Sequence, residues 1–547
     1  MPEFEELLTQ TADGWQWHLP AQFNIAHACV RRHVDEGSGE KTALVIEDDQ
    51  LGTSELSYRQ LDTRSGQFAH ILGELGIGPA DPVLIRLPNS MDYPVSFFGC
   101  LKFGAVAVPT STLLSPPEVA YLATDSGAKV LVTHKSMWSD LRSALDADGE
   151  LVTVVLAGPG EMPQDTGGSG IRMLELESLL AASPVDETVI ASSPDDPAYL
   201  VYTSGTTGYP KGVLHAHRSL LGRQPASHFW FDFKAGDRIL HSGKFNWTYV
   251  LGTGLMDPMF HGHTVVVHEG KSDASVWPRL IEKHGCTIFI GVPTIYRQIL
   301  QKTDSNGSDV PTLRHCMSAG EHLSDEMLFL WRERFGMDIY EAIGMSECSY
   351  YISQNKQRPI RPGAAGFIQP GHEVVLLDDS GQPVAAGEEG MIAIKDSDPG
   401  LFLGYWRLPE ETAKSRRGGY FFTGDYARID EDGYIWFVGR KDDIINTFGY
   451  RVSPHEIERV IKTHPDVGDC VALGEMAGKD KILVSVCVIP NPGATLTEQD
   501  ILAFGSDRLA RYKAPKRVYF YREFPRTRNG KILRKQMSAE LAARQPS

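Results

Sequence analysis

The sequence contains no C-x-x-C pair, and its seven cysteines, Cys29, Cys100, Cys286, Cys316, Cys348, Cys470 and Cys487, lie far apart. That spacing argues against both a disulfide framework and a cysteine-based zinc site, and reads them as reduced packing residues. Nowhere do about 18 apolar residues run together, so no membrane-spanning helix is expected. The opening Met1-Pro2-Glu3-Phe4-Glu5-Glu6 is acidic and lacks the basic-then-apolar layout of a signal peptide, which points to a cytoplasmic protein. Positive charge is scarce as well: 53 Lys and Arg face 70 Asp and Glu, a net −17. Such a balance disfavours nucleic acid or an acidic membrane as a partner.

What is present is an ordinary globular composition, 42% hydrophobic and 22% charged, over 547 residues. That length leaves room for several domain-sized units or one large enzyme subunit. The scarce positive charge is concentrated: residues 508 to 535 hold eleven Lys and Arg against Glu523, a local balance of +10 suited to an anion.

Residues 57 to 75 carry Leu61, Phe68, Ile71, Leu72 and Leu75 at helical spacing, with Ser57 as N-cap and Gly76 and Gly78 as stops. Pro82 to Leu87 reads as a buried strand, Tyr93 to Phe103 as a helix and Lys129 to Thr133 as a strand. The alternation resumes with a helix near 275–284, a strand Thr287 to Ile290 and helices from Thr294 and over Asp325 to Phe335. This is the pattern of parallel α/β sheets. Residues 158–170 read as a loop, and 372–437 as short strands and turns, with Asp379-Ser380-Gly381 able to reverse a hairpin. Beyond residue 443 a fresh α+β pattern begins, and Ser453-Pro454-His455-Glu456 predicts a capping box.

The chemistry concentrates first in Tyr202-Thr203-Ser204-Gly205-Thr206-Thr207-Gly208-Tyr209-Pro210-Lys211-Gly212. Glycines leave backbone N–H groups approachable, hydroxyls add donors and the lysine adds a mobile charge, a set suited to a polyphosphate. The common nucleotide loop needs Gly, four residues, then Gly-Lys-Ser/Thr; here Pro210 stands at the second glycine, so this is a different element. A run of this composition can also be a plain surface connection.

In its order, Y-T-S-G-T-T-G-x-P-K-G, the run resembles the signature of the AMP-forming acyl-CoA synthetases of the adenylate-forming superfamily, and separated motifs extend the resemblance from about residue 40 to 540. It implies an α/β fold with a large N-terminal domain, 1–439, built from two α/β sheet subdomains and a β-rich subdomain. A hinge at 440–443 and a small mobile α+β domain, 444–547, would follow. It further implies ATP, Mg²⁺ and CoA as cofactors, with Thr203, Ser204, Gly205, Thr206, Thr207 and Lys211 at the polyphosphate. Ala342-Ile343-Gly344-Met345-Ser346-Glu347 resembles the family's G-Y-G-x-T-E element, which assigns the α-phosphate to Ser346 and Mg²⁺ to Glu347. Ala342 departs from the glycine, and Ile343 stands where an aromatic often covers adenine. Ser318-Ala319-Gly320-Glu321 resembles the lining of the adenine slot, where Gly320 would admit a close backbone approach. Thr423-Gly424-Asp425 matches the ribose-binding T-G-D; a carboxylate with two acceptor oxygens suits a vicinal diol. Arg440 corresponds to an arginine at ribose and phosphates, Asp442 to the hinge, and Gly449 and Arg451 to the element that meets CoA. In Pro525-Arg526-Thr527-Arg528-Asn529-Gly530-Lys531, Lys531 takes the place of the lysine that bridges carboxylate and α-phosphate.

The acyl pocket of such enzymes lies beside the stretch aligned with Phe245, Asn246 and Trp247, together with Gly344. Amino-acid-activating relatives carry an aspartate where Asn246 stands, so a plain acid is expected; the two aromatics can equally be core residues. The opening Trp15-Gln16-Trp17-His18-Leu19-Pro20 resembles medium-chain and benzoate-type ligases, which implies a medium-chain fatty, aromatic or alicyclic acid. The expected activity is an ATP-dependent acid–CoA ligase. An adenylation enzyme loading a carrier protein is the alternative, and an oxygenase of the luciferase type and a non-catalytic nucleotide sensor also stay open. Monomer and homodimer are both left open.

Overall fold

The structure, a computed structural model, describes the chain apart from residues 1–3, 13, 146–148, 165–169, 186–187, 204–209, 272, 321–322, 442, 448–449, 478–481, 527–531 and 545–547. The described chain is mixed α/β and forms two compact units. One holds Met1–Pro362, Gly366–Glu373 and Lys395–Gly419; the other holds Gly363–Ala365, Val374–Ile394 and Tyr420–Ser547.

In the first unit the expected alternation folds into two large sheets. One has eight strands, with Pro82–Arg86 paired in parallel to Val106–Pro109 on one side and to Val130–His134 on the other. The other has nine, and its strands Ile339–Ile343, His315–Ala319, Ile288–Gly291, Arg238–His241, Thr264–Glu269 and Thr42–Asp48 all run parallel. Strands such as Pro82–Arg86 and Thr153–Ala157 are buried at every residue, as expected for sheets covered by helices on both faces.

The helix expected over 57–75 spans Tyr58–Glu74 and buries Leu61, Phe68, Ile71 and Leu72. Ser57 accepts the Gln60 N–H while the Gln60 side chain returns to the Ser57 N–H, so two of the free donors at the helix start are satisfied. The helices Val276–His284, Pro293–Lys302 and Asp325–Phe335 pack Trp277, Tyr296 and Trp331 against the nine-stranded sheet, each fully buried. Burying such a side chain is worth roughly 1.5–3 kcal/mol, so these anchors outweigh any single loop contact. Residues 158–164 and 170 carry neither helix nor strand; the middle of that expected loop lies outside the described residues.

The second unit contains the antiparallel strands Val374–Leu377, Glu389–Lys395, Tyr420–Ile429 and Ile435–Arg440. The Asp378 carboxylate accepts the backbone N–H groups of Ser380 and Gln382 and so closes the turn expected there. Farther along, Val467–Met476 pairs antiparallel to Ile482–Pro490, which runs parallel to Arg517–Phe520. The predicted capping box at Ser453 forms only by half: Ser453 accepts the Glu456 N–H at 3.4 Å, but the Glu456 carboxylate instead binds Lys513 at 2.7 Å. A full lysine charge is the stronger partner for a carboxylate than one backbone N–H.

Candidate active site

In the nine-stranded sheet Arg238–His241 is flanked by Thr264–Glu269 on one side and Ile288–Gly291 on the other, so the chain order reverses there. Ligands of open α/β sheets bind beyond the carboxyl ends of strands at such a switch point. Of the predicted residues, Gly320 and Ala342–Gly344 belong to the strand ends of this sheet. Ala319 pairs with Ala342, so Gly320 and Ile343 leave neighbouring strands side by side. Gly320 has φ +90°, and a Cβ there would meet nothing within 4 Å. The glycine is therefore required by the left-handed turn, and the space beside it is open among the protein's own atoms. Glu321 lies outside the described residues.

Gly344 is the opposite case. A Cβ there would fall 2.2 Å from the backbone nitrogen of Tyr350, so no other residue fits. The Met345 N–H donates to the Cys348 carbonyl at 2.8 Å and closes a turn that carries Ser346, half-buried, and Glu347, buried. The Glu347 carboxylate accepts the Tyr405 hydroxyl at 2.8 Å, and its carbonyl accepts the Phe402 N–H at 2.9 Å. The carbonyl of Ser346 is held by His215 Nε2 at 2.7 Å. Burial lowers the His215 pKa to about 3, against a smaller opposing effect of that hydrogen bond, so the ring is neutral near pH 7.

The hydroxyl- and glycine-rich run joins two antiparallel strands, Pro197–Thr203 and Lys211–Ala216, with Thr203 opposite Lys211. Ser204, Gly205, Thr206 and Thr207 lie outside the described residues. Lys211 Nζ sits 2.9 Å from the Glu411 carboxylate and 5.6 Å from the centre of the Tyr405 ring. Its charge is thus already paired within the loop's own surroundings.

The stretch beyond Arg238–His241 is fixed from several sides. Lys244 pairs with Glu269 at 2.6 Å, and the Phe245 N–H donates to the Asn89 side chain at 3.0 Å. Phe245 is fully buried and stacks on Tyr93 with centroids 5.3 Å apart, which makes it a core residue. Asn246 and Trp247 are half-buried; the Asn246 amide donates to the Leu87 carbonyl at 3.4 Å and Trp247 meets Tyr249 edge-on.

In the second unit Asp425 and Arg440 face each other across paired strands, with Arg440 Nε 3.3 Å from the Asp425 carboxylate. Asp425 is buried, and its N–H donates to Thr423 Oγ1, whose hydroxyl donates to the Ile392 carbonyl at 2.9 Å. The T-G-D element is thus held by its own threonine. Asp442, Gly449 and Lys531 lie outside the described residues, and Arg451 is placed by its backbone alone, opposite Asn446. The Lys531 segment is flanked by the bridge between Arg526 and Ile532 and by the Leu533 N–H donating to the Pro525 carbonyl.

His215, Tyr405 and Glu411 were not singled out from sequence. They are ordinary residue types whose importance comes from contacts spanning 58 to 200 positions. No local spacing could have marked them.

Comparison with known proteins places the chain in a family. The family model "AMP-binding enzyme" matches residues 30–406 and the model "AMP-binding enzyme C-terminal domain" matches 456–531. The chain is 31% identical over 530 residues to a 3-hydroxybenzoate–CoA/4-hydroxybenzoate–CoA ligase of Thauera aromatica, covering 95% of this chain and 98% of that protein. It is 30% identical over 492 residues to the mitochondrial acyl-coenzyme A synthetase ACSM3 of Mus musculus, covering 88% and 83%. Among solved structures, an anthranilate CoA ligase, AuaEII, in complex with anthranoyl-AMP, superposes with TM-score 0.85 at 30% identity, over 96% of this chain and 98% of that one. The chain belongs to the AMP-binding enzyme family and is an acid–thiol ligase of the AMP-forming acyl-CoA synthetase kind.

Proposed function

We propose that this enzyme activates an aromatic, alicyclic or medium-chain carboxylic acid, with ATP, to an acyl-adenylate and passes the acyl group to CoA. The observation that carries the reading is the turn Gly344–Glu347, set at the carboxyl ends of parallel strands with Ser346 half-buried and Glu347 buried. The aromatic part of the range is supported by relatives named for hydroxybenzoates and anthranilate. A plain acid is favoured over an amino acid, because Asn246 puts no carboxylate beside the substrate to pair with an ammonium. Loading of a carrier protein is not favoured, since the relatives are named as CoA ligases.

In the first step an oxygen of the substrate carboxylate attacks the α-phosphorus of ATP, forming the acyl–phosphate bond as the α–β bond breaks and pyrophosphate leaves. In this reading Ser346 donates to the α-phosphate, Thr203 to Thr207 and Lys211 hold the outer phosphates, and Asp425 accepts the ribose hydroxyls. Gly320, Ala342 and Ile343 border adenine, and Arg440 meets the ribose and phosphates. Lys531 places its ammonium between the two repelling anions. A single buried carboxylate, Glu347, fits Mg²⁺, which is commonly held by one or two carboxylates together with substrate phosphates. When bound it would neutralise charge on the leaving pyrophosphate. In the second step the CoA thiolate attacks the acyl carbon and AMP departs, with Gly449 and Arg451 at CoA and Asp442 as the hinge between the 1–439 and 444–547 parts. A cytoplasmic setting is supported by seven cysteines that are all buried and unbridged.

The test is pyrophosphate release dependent on ATP, Mg²⁺ and CoA over a panel from acetate through octanoate and benzoate to palmitate. Turnover should peak with benzoate-like or medium-chain acids. No turnover with any acid would sink the proposal.

A further inference from the structure

We infer that His215 is a positioning residue for adenylation, holding the Ser346–Glu347 peptide in the setting the reaction needs. The inference rests on the adenylation reading above and deepens it.

A carbonyl oxygen carries no proton, so the 2.7 Å contact requires His215 to donate from Nε2. The other ring nitrogen, Nδ1, is buried and has no hydrogen-bond partner among the described residues, which suits a ring with one proton. Because the peptide is planar and trans, fixing the Ser346 carbonyl also fixes the direction of the Glu347 N–H. The turn's two proposed phosphate and metal groups are therefore set by one donor.

That donor is itself fixed. The His215 ring stacks on Tyr199 with centroids 4.8 Å apart and planes 13° apart. Arg223 donates to the Tyr199 hydroxyl at 3.2 Å and, through Nε, to Asp257 at 2.9 Å, with both charged groups almost fully buried. The Tyr350 hydroxyl donates to the same Asp257 carboxylate. Tyr350 has φ +29°, a conformation that a tyrosine keeps only when its surroundings impose it. Its backbone nitrogen is the atom that leaves no room for a Cβ at Gly344. The turn is thus pinned at Ser346 and at Tyr350 by one buried network. His215 also lies on the strand that begins at Lys211, so the polyphosphate hairpin and the turn are joined through its ring.

A histidine that merely fills the core would act through stability alone. The two roles separate in acid-dependent exchange of pyrophosphate into ATP by the full-length enzyme, using the best acid of the panel. His215→Phe keeps the ring volume and removes the donor; its thermal midpoint should stay close to that of the wild type. Its exchange kcat should fall about tenfold or more, as expected when reacting groups are misplaced by a fraction of an ångström, while the acid KM moves less than about threefold. His215→Gln keeps an N–H at similar reach and should recover most of the rate. On a Ser346→Ala background His215→Phe should cost clearly less than it does in the wild type, because one of the two groups it positions is gone. If His215→Phe does not fold, Tyr350→Phe releases the other end of the turn and carries the same expectation. A His215→Phe or Tyr350→Phe enzyme at the wild-type rate, a Gln variant as slow as Phe, or full loss on the Ser346→Ala background overturns the inference alone. A wild-type enzyme inert with every acid overturns the adenylation reading and the inference together.

Discussion

In the proposed mechanism Lys211 and Lys531 divide between them the positive charge that two motifs supply. Lys211 is paired with Glu411 and lies over Tyr405, so it is suited to ordering its hairpin and reaching the outer phosphates when Glu411 yields. The ion pair is part-exposed and contributes little to stability, which leaves the lysine free to exchange partners. The proposed mechanism gives the charge between carboxylate and α-phosphate to Lys531. Replacing Lys531 by alanine should lower acid-dependent pyrophosphate exchange by two orders of magnitude or more, about 3 kcal/mol or above in the barrier. Thioester formation from supplied acyl-AMP and CoA should stay within a few-fold of wild type, and equal loss of both half-reactions would refute the assignment. At this scale the motifs were legible because residue type and order carry them. Ser346 and Glu347 are found on a turn, Arg440 at a strand end and Asp425 within a paired strand, where it faces Arg440. His215 and Tyr405 escaped because histidine and tyrosine acquire their roles here only from distant partners.

Among elements, the turn from Gly344 to Tyr350 has the least freedom. Gly344→Ala would drive a Cβ against the Tyr350 backbone, where no flexible side chain can move aside. Overpacking of this kind costs typically about 1–3 kcal/mol. The expected outcome is a lowered thermal midpoint and adenylation reduced far more than stability, measured by calorimetry and pyrophosphate exchange on the same sample. Wild-type exchange in that variant would show that the turn tolerates displacement. Helices and strands of the first unit were readable from periodicity and caps, since those signals are local: Ser57 caps Tyr58–Glu74 by the residue types beside it. Ser453 shows the limit, because its expected return partner Glu456 is drawn away by Lys513, 57 positions later.

Across the whole molecule, the buried histidines set an acid limit. Burial lowers His215, His217, His241, His261 and His315 to about 3, and His33 and His263 to about 4. Each is neutral in the fold but takes a proton near pH 6.5 once unfolded. Their contribution is therefore fully present above about pH 6.5 and lost as pH falls toward 3–4. Glu341 acts with the opposite sign: burial, helped by Asp325 and opposed by the Leu323 N–H, raises it to about 8. Its contribution is complete below about pH 4.5 and lost as pH rises toward 8. Urea unfolding midpoints should fall steeply between pH 6.5 and 5 and more gently from pH 6.5 to 8, and Glu341→Gln should flatten the alkaline side. A flat acid limb would mean that these rings are already solvated in the fold.

The sequence by itself determined the family, the α/β alternation and the motif residues, because periodicity, caps and motif order are written in neighbouring positions. Tertiary structure alone decided what those motifs rest on. Gly344 is demanded by the Tyr350 backbone, Gly320 by a left-handed turn, Lys211 is held by Glu411, and Ser346 is pinned by His215. Each of these depends on close packing between segments remote in the chain or on a backbone angle that only the folded turn imposes, and neither leaves a spacing in the sequence from which it could be read.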